Sequence, residues 1–280
     1  MRVLVTGAQG QLGNDMVLCL ERHPAHYQVF GFGRTELDIT DVSQVIKTFK
    51  QVEPDVVIHT AAYTQVDQAE ADRDRAYAVN TLGTRNLVIE AEKFGAKFVY
   101  LSTDYVFDGI KGTPYNESDR TNPQSVYGQS KRAGEEFVLS LSSKCFIVRT
   151  SWVYGKYGPN FVKTMLKLGS EGKPLKVVDD QFGSPTYTVD IARFLLQLIE
   201  TERYGIYHAT NSGSCSWYEF AKKIFELAGM QVDLCPCTTA DFPRPAPRPA
   251  YSVLEHAGID LNGFQDLRPW QEALKDFLAN

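Results

Sequence analysis

Apolar positions along the first half of this chain switch between the two-residue period of strands and the spacing of helices. Short β-rich runs fall at residues 2–6, 28–32, 55–60, 97–102 and 145–150. Helical spacing fills the intervals at 11–22, 42–52, 73–94 and 127–141. In the first of these helices Leu12, Met16 and Leu20 share one face. Runs such as Val56-Val57-Ile58 are apolar without a break, which suits strands buried on both sides. Strand–helix alternation of this kind predicts an α/β fold with a parallel sheet and helices on both of its faces.

After Trp152 the pattern loosens. It predicts a loop at 155–159, a helix at 161–169 and a strand at 175–178. A helix at 189–201 follows, with Ile191, Leu195 and Leu198 in line, then a strand at 205–208 and helices at 217–228 and 270–278. Residues 241–250 hold four prolines, which excludes helix and central strand there. The expected organisation is a dinucleotide-binding domain over 1–152, rejoined by a returning segment at about 179–204. A smaller C-terminal α/β lobe from 153–178 and 205–280 closes over its mouth.

The turn Gly7-Ala8-Gln9-Gly10-Gln11-Leu12-Gly13 lies directly after the first strand and opens the first helix. Glycines at this spacing permit a tight turn, close approach of backbone to a pyrophosphate, and close helix–sheet packing. The strand–turn–helix setting is the context that this motif needs. It makes the sheet a Rossmann-type, doubly wound one, with residues 7–13 on the cofactor. The second strand ends Gly31-Phe32-Gly33-Arg34. An arginine there favours a 2′-phosphate, hence NADPH, with NADH as the alternative; a solvated loop arginine is the plain reading. Asp38, followed by Ile39, fits either contact with adenine or the start of the next helix.

Tyr127 and Lys131 stand four residues apart in a helical stretch, so they share a face. A free tyrosine titrates near 10, and a neighbouring ammonium is expected to lower that value and make the phenol a usable general acid. Thr103, just past the fourth strand, lies where ligands bind in such sheets and can donate to a substrate carbonyl. His59, inside an apolar strand, reads as core.

Composition narrows the picture. The chain has 280 residues, 43% hydrophobic and 22% charged, and a net charge of −5, which argues against a nucleic-acid partner. No run reaches the ~20 apolar residues of a membrane span. The five cysteines are odd in number and scattered, as in the thiols of a reducing cytosol, so a cytoplasmic protein is expected. Cys235 and Cys237 flank Pro236 with no second ligand pair nearby, and no metal is expected there.

Longer motifs are more specific: Ala61-Ala62-Tyr63-Thr64-Gln65-Val66-Asp67, Ser102-Thr103-Asp104-Tyr105-Val106-Phe107-Asp108-Gly109, Tyr127–Lys131, Thr150-Ser151-Trp152-Val153-Tyr154-Gly155, and Asp180-Gln181-Phe182-Gly183-Ser184-Pro185-Thr186. With these the chain resembles the extended short-chain dehydrogenase/reductases acting on nucleotide sugars, and among them the dTDP-4-dehydrorhamnose reductases, over nearly its whole length. The resemblance implies reduction of the C4 ketone of dTDP-4-dehydro-L-rhamnose, the last step of dTDP-L-rhamnose synthesis. It implies Tyr127 as proton donor, Lys131 assisting it and holding the nicotinamide ribose, and Thr103 orienting the ketone. It places Ala61, Ala62, Tyr63 and Asn80 on the cofactor. Thr64, Val66, Asp104, Tyr105 and Trp152 fall to the sugar, and Asn160 and Arg248 to its nucleotide. Core packing for Trp152 and a helix cap for Asn160 are the plain alternatives.

Related 4,6-dehydratases carry an Asp-Glu pair where this chain has Asp104-Tyr105, and related 4-epimerases suit an acid where it has Arg34. A relative that binds NADP as a regulatory subunit is the non-enzymatic reading. Monomer and homodimer both remain open. The magnesium-linked dimer described for some relatives uses several Glu side chains, where this chain offers Asp15 and Asp190.

Overall fold

In a computed structural model, which describes residues 1–25 and 27–279, six parallel strands form the central sheet. They are β1 (Arg2–Thr6), β2 (Gln28–Phe32), β3 (Val56–His59), β4 (Lys97–Thr103), β5 (Cys145–Thr150) and β6 (Gly205–His208). The spatial order is β6-β5-β4-β3-β1-β2, every neighbouring pair parallel. The winding reverses between β1 and β3, and in open sheets of this kind ligands bind at such a reversal, beyond the carboxyl ends of the strands.

Two-sided burial follows from the two-residue period. Val3, Val5, Val56 and Ile58 face a core completed by Met16 and Leu20 of the Gln11–Glu21 helix and Ile191 and Leu195 of the Thr188–Ile199 helix. Leu4, Val57, Phe98 and Ile147 face the other way, against Phe49, Leu87, Val88 and Val138. Those four come from the helices Val42–Val52, Thr84–Phe94 and Val126–Leu141.

A separate core gathers Tyr154, Val162, Met165, Phe220, Ile224, Trp270 and Leu274. It lies among the helices Phe161–Ser170, Trp217–Leu227 and Trp270–Ala279, with Leu175–Val178 paired in parallel to Leu234–Cys237.

The structure departs from the sequence reading in three places. The long helix expected at 73–94 contains a π-helical turn, Ala78–Gly83, between Arg73–Tyr77 and Thr84–Phe94. This wider turn sets Gly83 where a Cβ would lie 2.7 Å from the Ile39 side chain. A helix at Val66–Ala71 was not anticipated. The strand Gly205–His208, assigned above to the smaller lobe, is the edge of the main sheet, and Ile259 and Leu267 join the main core beside it. Asp15 and Asp190 make their bonds within the fold. Asp15 accepts from Thr188 Oγ1 at 2.5 Å, and Asp190 accepts from Asn211 and Arg268 at 2.9 Å each, all inside the fold.

Candidate active site

Sterics alone shape the turn after β1. Gly7 sits at φ 70°, and a Cβ on it would lie 2.6 Å from the Ala61 nitrogen. A Cβ on Gly13 would lie 2.1 Å from the Gly7 carbonyl oxygen. Gly10 precedes the Gln11–Glu21 helix in an extended conformation, and no side chain caps the helix, so its leading N–H groups are left for a ligand. This is a cradle that fits a pyrophosphate. Leu12 meets it only through its backbone, because its side chain lies in the core. Gln9 lies across Gly33, where a Cβ would be 2.3 Å from its side chain.

Arg34 stands exposed at the end of β2. Glu36, which the sequence reading passed over, accepts from the Gly33 N–H at 2.7 Å, so this acid is turned to the backbone. Asp38 does not start the next helix. Its carboxylate accepts from Thr40 N and Oγ1 at 2.9 and 2.7 Å, while Asp41 caps the helix through Ser43 N at 2.8 Å. Ile39 is a core residue.

Ala61, Ala62 and Tyr63 line the way out of β3, half-buried. Asn80, in the π turn, accepts from Tyr63 N at 2.8 Å and donates to Tyr63 O at 3.1 Å and Ser130 Oγ at 3.0 Å. Its amide therefore ties the β3 exit to the helix that carries Tyr127. Ser102 Oγ and Thr150 Oγ1, at the carboxyl ends of β4 and β5, are buried and have no hydrogen-bond partner among the described residues. A polar ligand beyond the strands would satisfy them.

Ser125 caps the Val126–Leu141 helix, accepting from Gly128 N at 3.1 Å, which puts Tyr127 in its first turn and Lys131 one turn on. Thr103 Oγ1 donates to Asp104 Oδ1 at 3.0 Å and accepts from Tyr105 N at 3.2 Å. Burial pushes the Tyr127 phenol up to about 12; the Thr103 hydroxyl, its hydrogen-bonding neighbour, opposes this and Asp104 adds to it. Burial pulls Lys131 down to about 7 against the pull of Glu135, and its Nζ lies 4.1 Å from the centroid of the Tyr100 ring. The expected lowering of Tyr127 by the ammonium is therefore corrected: burial dominates the phenol, Lys131 is not among the groups that shift it, and the phenol holds its proton firmly. Burial also raises the Asp104 carboxyl to about 6. A protonated phenol beside a threonine hydroxyl can bind a carbonyl oxygen and give it a proton.

The outer wall comes from distant segments. Arg248 pairs with Asp67 Oδ2 at 2.9 Å, its guanidinium 5.9 Å from the Tyr105 ring centroid. Tyr105 meets Tyr127 edge-on at 5.6 Å. Thr64 is exposed, and Val66 begins the short helix that holds Asp67. Trp152, two residues past β5, adopts a left-handed φ of 47° and stacks on Trp217 at 3.5 Å. A non-glycine residue in that region stores backbone strain of the kind found in ligand sites. Asn160 proves to be a cap, accepting from Lys163 N at 3.1 Å, and it donates to Gln11 Oε1 at 3.0 Å. It thus fastens the smaller lobe to the glycine turn. Sequence reasoning missed Asp67 and Trp217. An acid and an aromatic in ordinary helical positions gave no signal until the fold set them beside Arg248 and Trp152.

Known proteins match this chain from end to end. The Bacillus subtilis (strain 168) spore coat polysaccharide biosynthesis protein SpsK is 46% identical, over 99% of this chain and 96% of its own. The dTDP-4-dehydrorhamnose reductase of Aggregatibacter actinomycetemcomitans is 44% identical, over 99% of this chain and 98% of its own. The crystal structure of dTDP-4-dehydrorhamnose reductase from Bacillus anthracis str. Ames, in complex with NADP, superposes with a TM-score of 0.97 at 49% identity, covering 99% of this chain and 98% of that one. Residues 1–280 match the family described as RmlD substrate binding domain, and with these full-length relatives the chain belongs to that family.

Proposed function

We propose that the protein is an NADPH-dependent oxidoreductase that reduces the C4 ketone of dTDP-4-dehydro-L-rhamnose to give dTDP-L-rhamnose, the last step in making that precursor of cell-surface polysaccharide. The observation that carries this reading is the meeting of Thr103, Tyr127 and Lys131 beyond the carboxyl ends of the strands, next to a turn shaped for a dinucleotide.

Each residue has a task. Residues 7–13 hold the pyrophosphate, Arg34 the 2′-phosphate, and Ala61, Ala62 and Tyr63 the channel towards the nicotinamide. The bound dinucleotide supplies the hydride. Thr103 orients the carbonyl, and Tyr127 releases its proton to the oxygen as negative charge grows there. The high proton affinity of the buried phenol suits a donor that must stay protonated until reduction begins. Lys131, when charged, stabilises the phenolate left behind. Thr64, Val66, Asp104, Tyr105 and Trp152 contact the sugar, and Arg248 the nucleotide. Asn80 and Asn160 act indirectly, the first by fixing Tyr63 and the second by fastening the lobes. The dinucleotide domain and the sugar lobe meet over this cleft.

Tyr105 after Asp104 distinguishes reduction from elimination, because β-elimination needs a second carboxyl group there. Incubating the enzyme with dTDP-glucose and NAD, and separately with the ketosugar and NADPH, tests this. NADPH oxidation in the second tube and no ketone in the first are expected; the reverse pattern assigns a dehydratase.

A further inference from the structure

A chain of buried charge runs inward from the active site. Glu135 follows Lys131 by one turn on the same helix, so the two share a face. Lys131 is 2% exposed and Glu135 not at all. Arg149 on β5 grips Glu135 with two bonds, Nε to Oε1 and an Nη to Oε2, each 2.9 Å. Its other Nη meets His208 Nε2 on β6 at 3.3 Å, while His208 Nδ1 lies 3.0 and 3.1 Å from the carbonyls of Tyr115 and Glu255. That arrangement gives the imidazole proton to Nδ1 and leaves Nε2 to accept from the arginine.

Stability does not explain this chain. A buried ion pair can often be exchanged for apolar residues of similar volume with no loss, because desolvation cancels its attraction. Its position beside Lys131 offers another reason. The titratable or charged groups around Lys131 are Tyr127 and Glu135 on its own helix, Tyr100 on β4 and His59 on β3; behind Glu135 stand Arg149 of β5 and, 3.9 Å from Glu135 Oε2, Arg132 of the same helix. Asp104 acts on Tyr127. His59 is buried and held neutral between Thr6 and Thr84. Of the groups around Lys131, only Glu135 is a carboxylate.

We propose that Glu135, fixed by Arg149, is a positioning residue for the reduction: it is the counter-charge that lets Lys131 carry its proton inside the closed site. The proposal rests on the reductase reading above. Burial strips Lys131 of its proton and Glu135 opposes this, leaving the amine balanced near neutrality. Without the carboxylate, Lys131 is neutral at pH 7 and gives the phenolate of Tyr127 no support.

The test follows the Cε resonance of Lys131 against pH in lysine-labelled, cofactor-free protein, assigned with Lys131→Met. Glu135→Gln is expected to lower the Lys131 midpoint by at least about one pH unit. Because this variant strands a buried guanidinium, Glu135→Leu/Arg149→Met is measured beside it, an apolar pair that the interior accepts. A midpoint below the wild-type value is expected there as well, less lowered than in Glu135→Gln because the guanidinium is gone too. The alkaline limb of kcat/KM for NADPH should shift down with the midpoint in each variant, with recovery in Glu135→Asp. A folded double variant whose midpoint and limb stay at the wild-type values overturns the proposal and leaves the pair a structural one. Failure of the wild type to oxidise NADPH with the ketosugar would sink the reductase reading instead, while the resonance still reports on Glu135.

Discussion

The cofactor half of the cleft and the sugar half are built by different means. The first is local and made of backbone: one strand, one turn and one helix, with Gly7 and Gly13 placed where a side chain would strike main-chain atoms. The second is assembled by side chains from remote segments, through the Arg248–Asp67 ion pair, the Trp152–Trp217 stack and the Asn160–Gln11 bond. A backbone site has one shape and accepts no Cβ, but it is little affected by charge. A side-chain site can change what it recognises by exchanging single residues, at the cost of needing the whole fold to form. Tyr127 and Lys131 stand where the halves meet, and burial governs both.

This contrast can be broken by substitution. The largest effect is expected at the junction. Tyr127→Phe keeps the ring and removes the proton, so kcat should fall by about 10²–10⁴-fold, while NADPH binding followed by fluorescence stays as in the wild type. Near-normal turnover would remove Tyr127 as donor. In the cofactor half, Gly13→Ala puts a methyl group 2.1 Å from the Gly7 oxygen. A displaced turn of about 1 Å should lower kcat/KM for NADPH on the order of 10²-fold, with dTDP-sugar binding unchanged. Equal losses for both ligands would show that the halves are not separately built.

Asp104 tests the sugar half through stability. Burial raises its carboxyl to about 6, above its ordinary 3.8, so the folded state holds the proton more tightly than the unfolded one. That contribution is complete below about pH 4 and is lost as the pH rises through 6. Asp104→Asn escapes the loss and should be more stable than the wild type by about 3 kcal/mol at pH 8, the gap closing towards pH 4. Urea unfolding at both values measures it, and a difference independent of pH would contradict the burial argument. The smallest effect is expected from exposed Arg34: Arg34→Ala should reduce the preference for NADPH over NADH roughly tenfold, the contribution of one charge-assisted bond, and leave NADH kinetics alone.

The same contrast decides what could be read from the sequence. β1, β3, β4 and β5 announce themselves because strands buried on both faces are apolar along their length, and the glycine turn because its constraint is local. The Tyr127–Lys131 spacing was equally plain. The direction in which those groups titrate was not, since burial of both is a property of the folded site. The π turn at Ala78–Gly83 keeps helical apolar spacing and leaves no signature. The two-residue strands Phe182–Gly183 and Thr186–Tyr187 are too short to carry a period. The strand Gly205–His208 was seen as a strand but assigned to the wrong body, because nothing local tells which sheet edge it will join. For Asn160 the fold shows the helix cap, one of its two readings, and adds a bond to Gln11 that joins segments remote in sequence and so has no local signature.

On the proposed reading, the two halves bring a nicotinamide and a sugar C4 ketone together at Tyr127. Transfer of label tests it most directly. Wild-type enzyme is given NADPH carrying deuterium at both hydrogen positions of the reactive carbon of its nicotinamide, together with dTDP-4-dehydrorhamnose made in situ, and the sugar is analysed by mass spectrometry and NMR. The account predicts one deuterium at C4 of dTDP-L-rhamnose for each NADPH oxidised. Deuterium at another carbon, or none in the sugar while NADPH remains reduced, would contradict it.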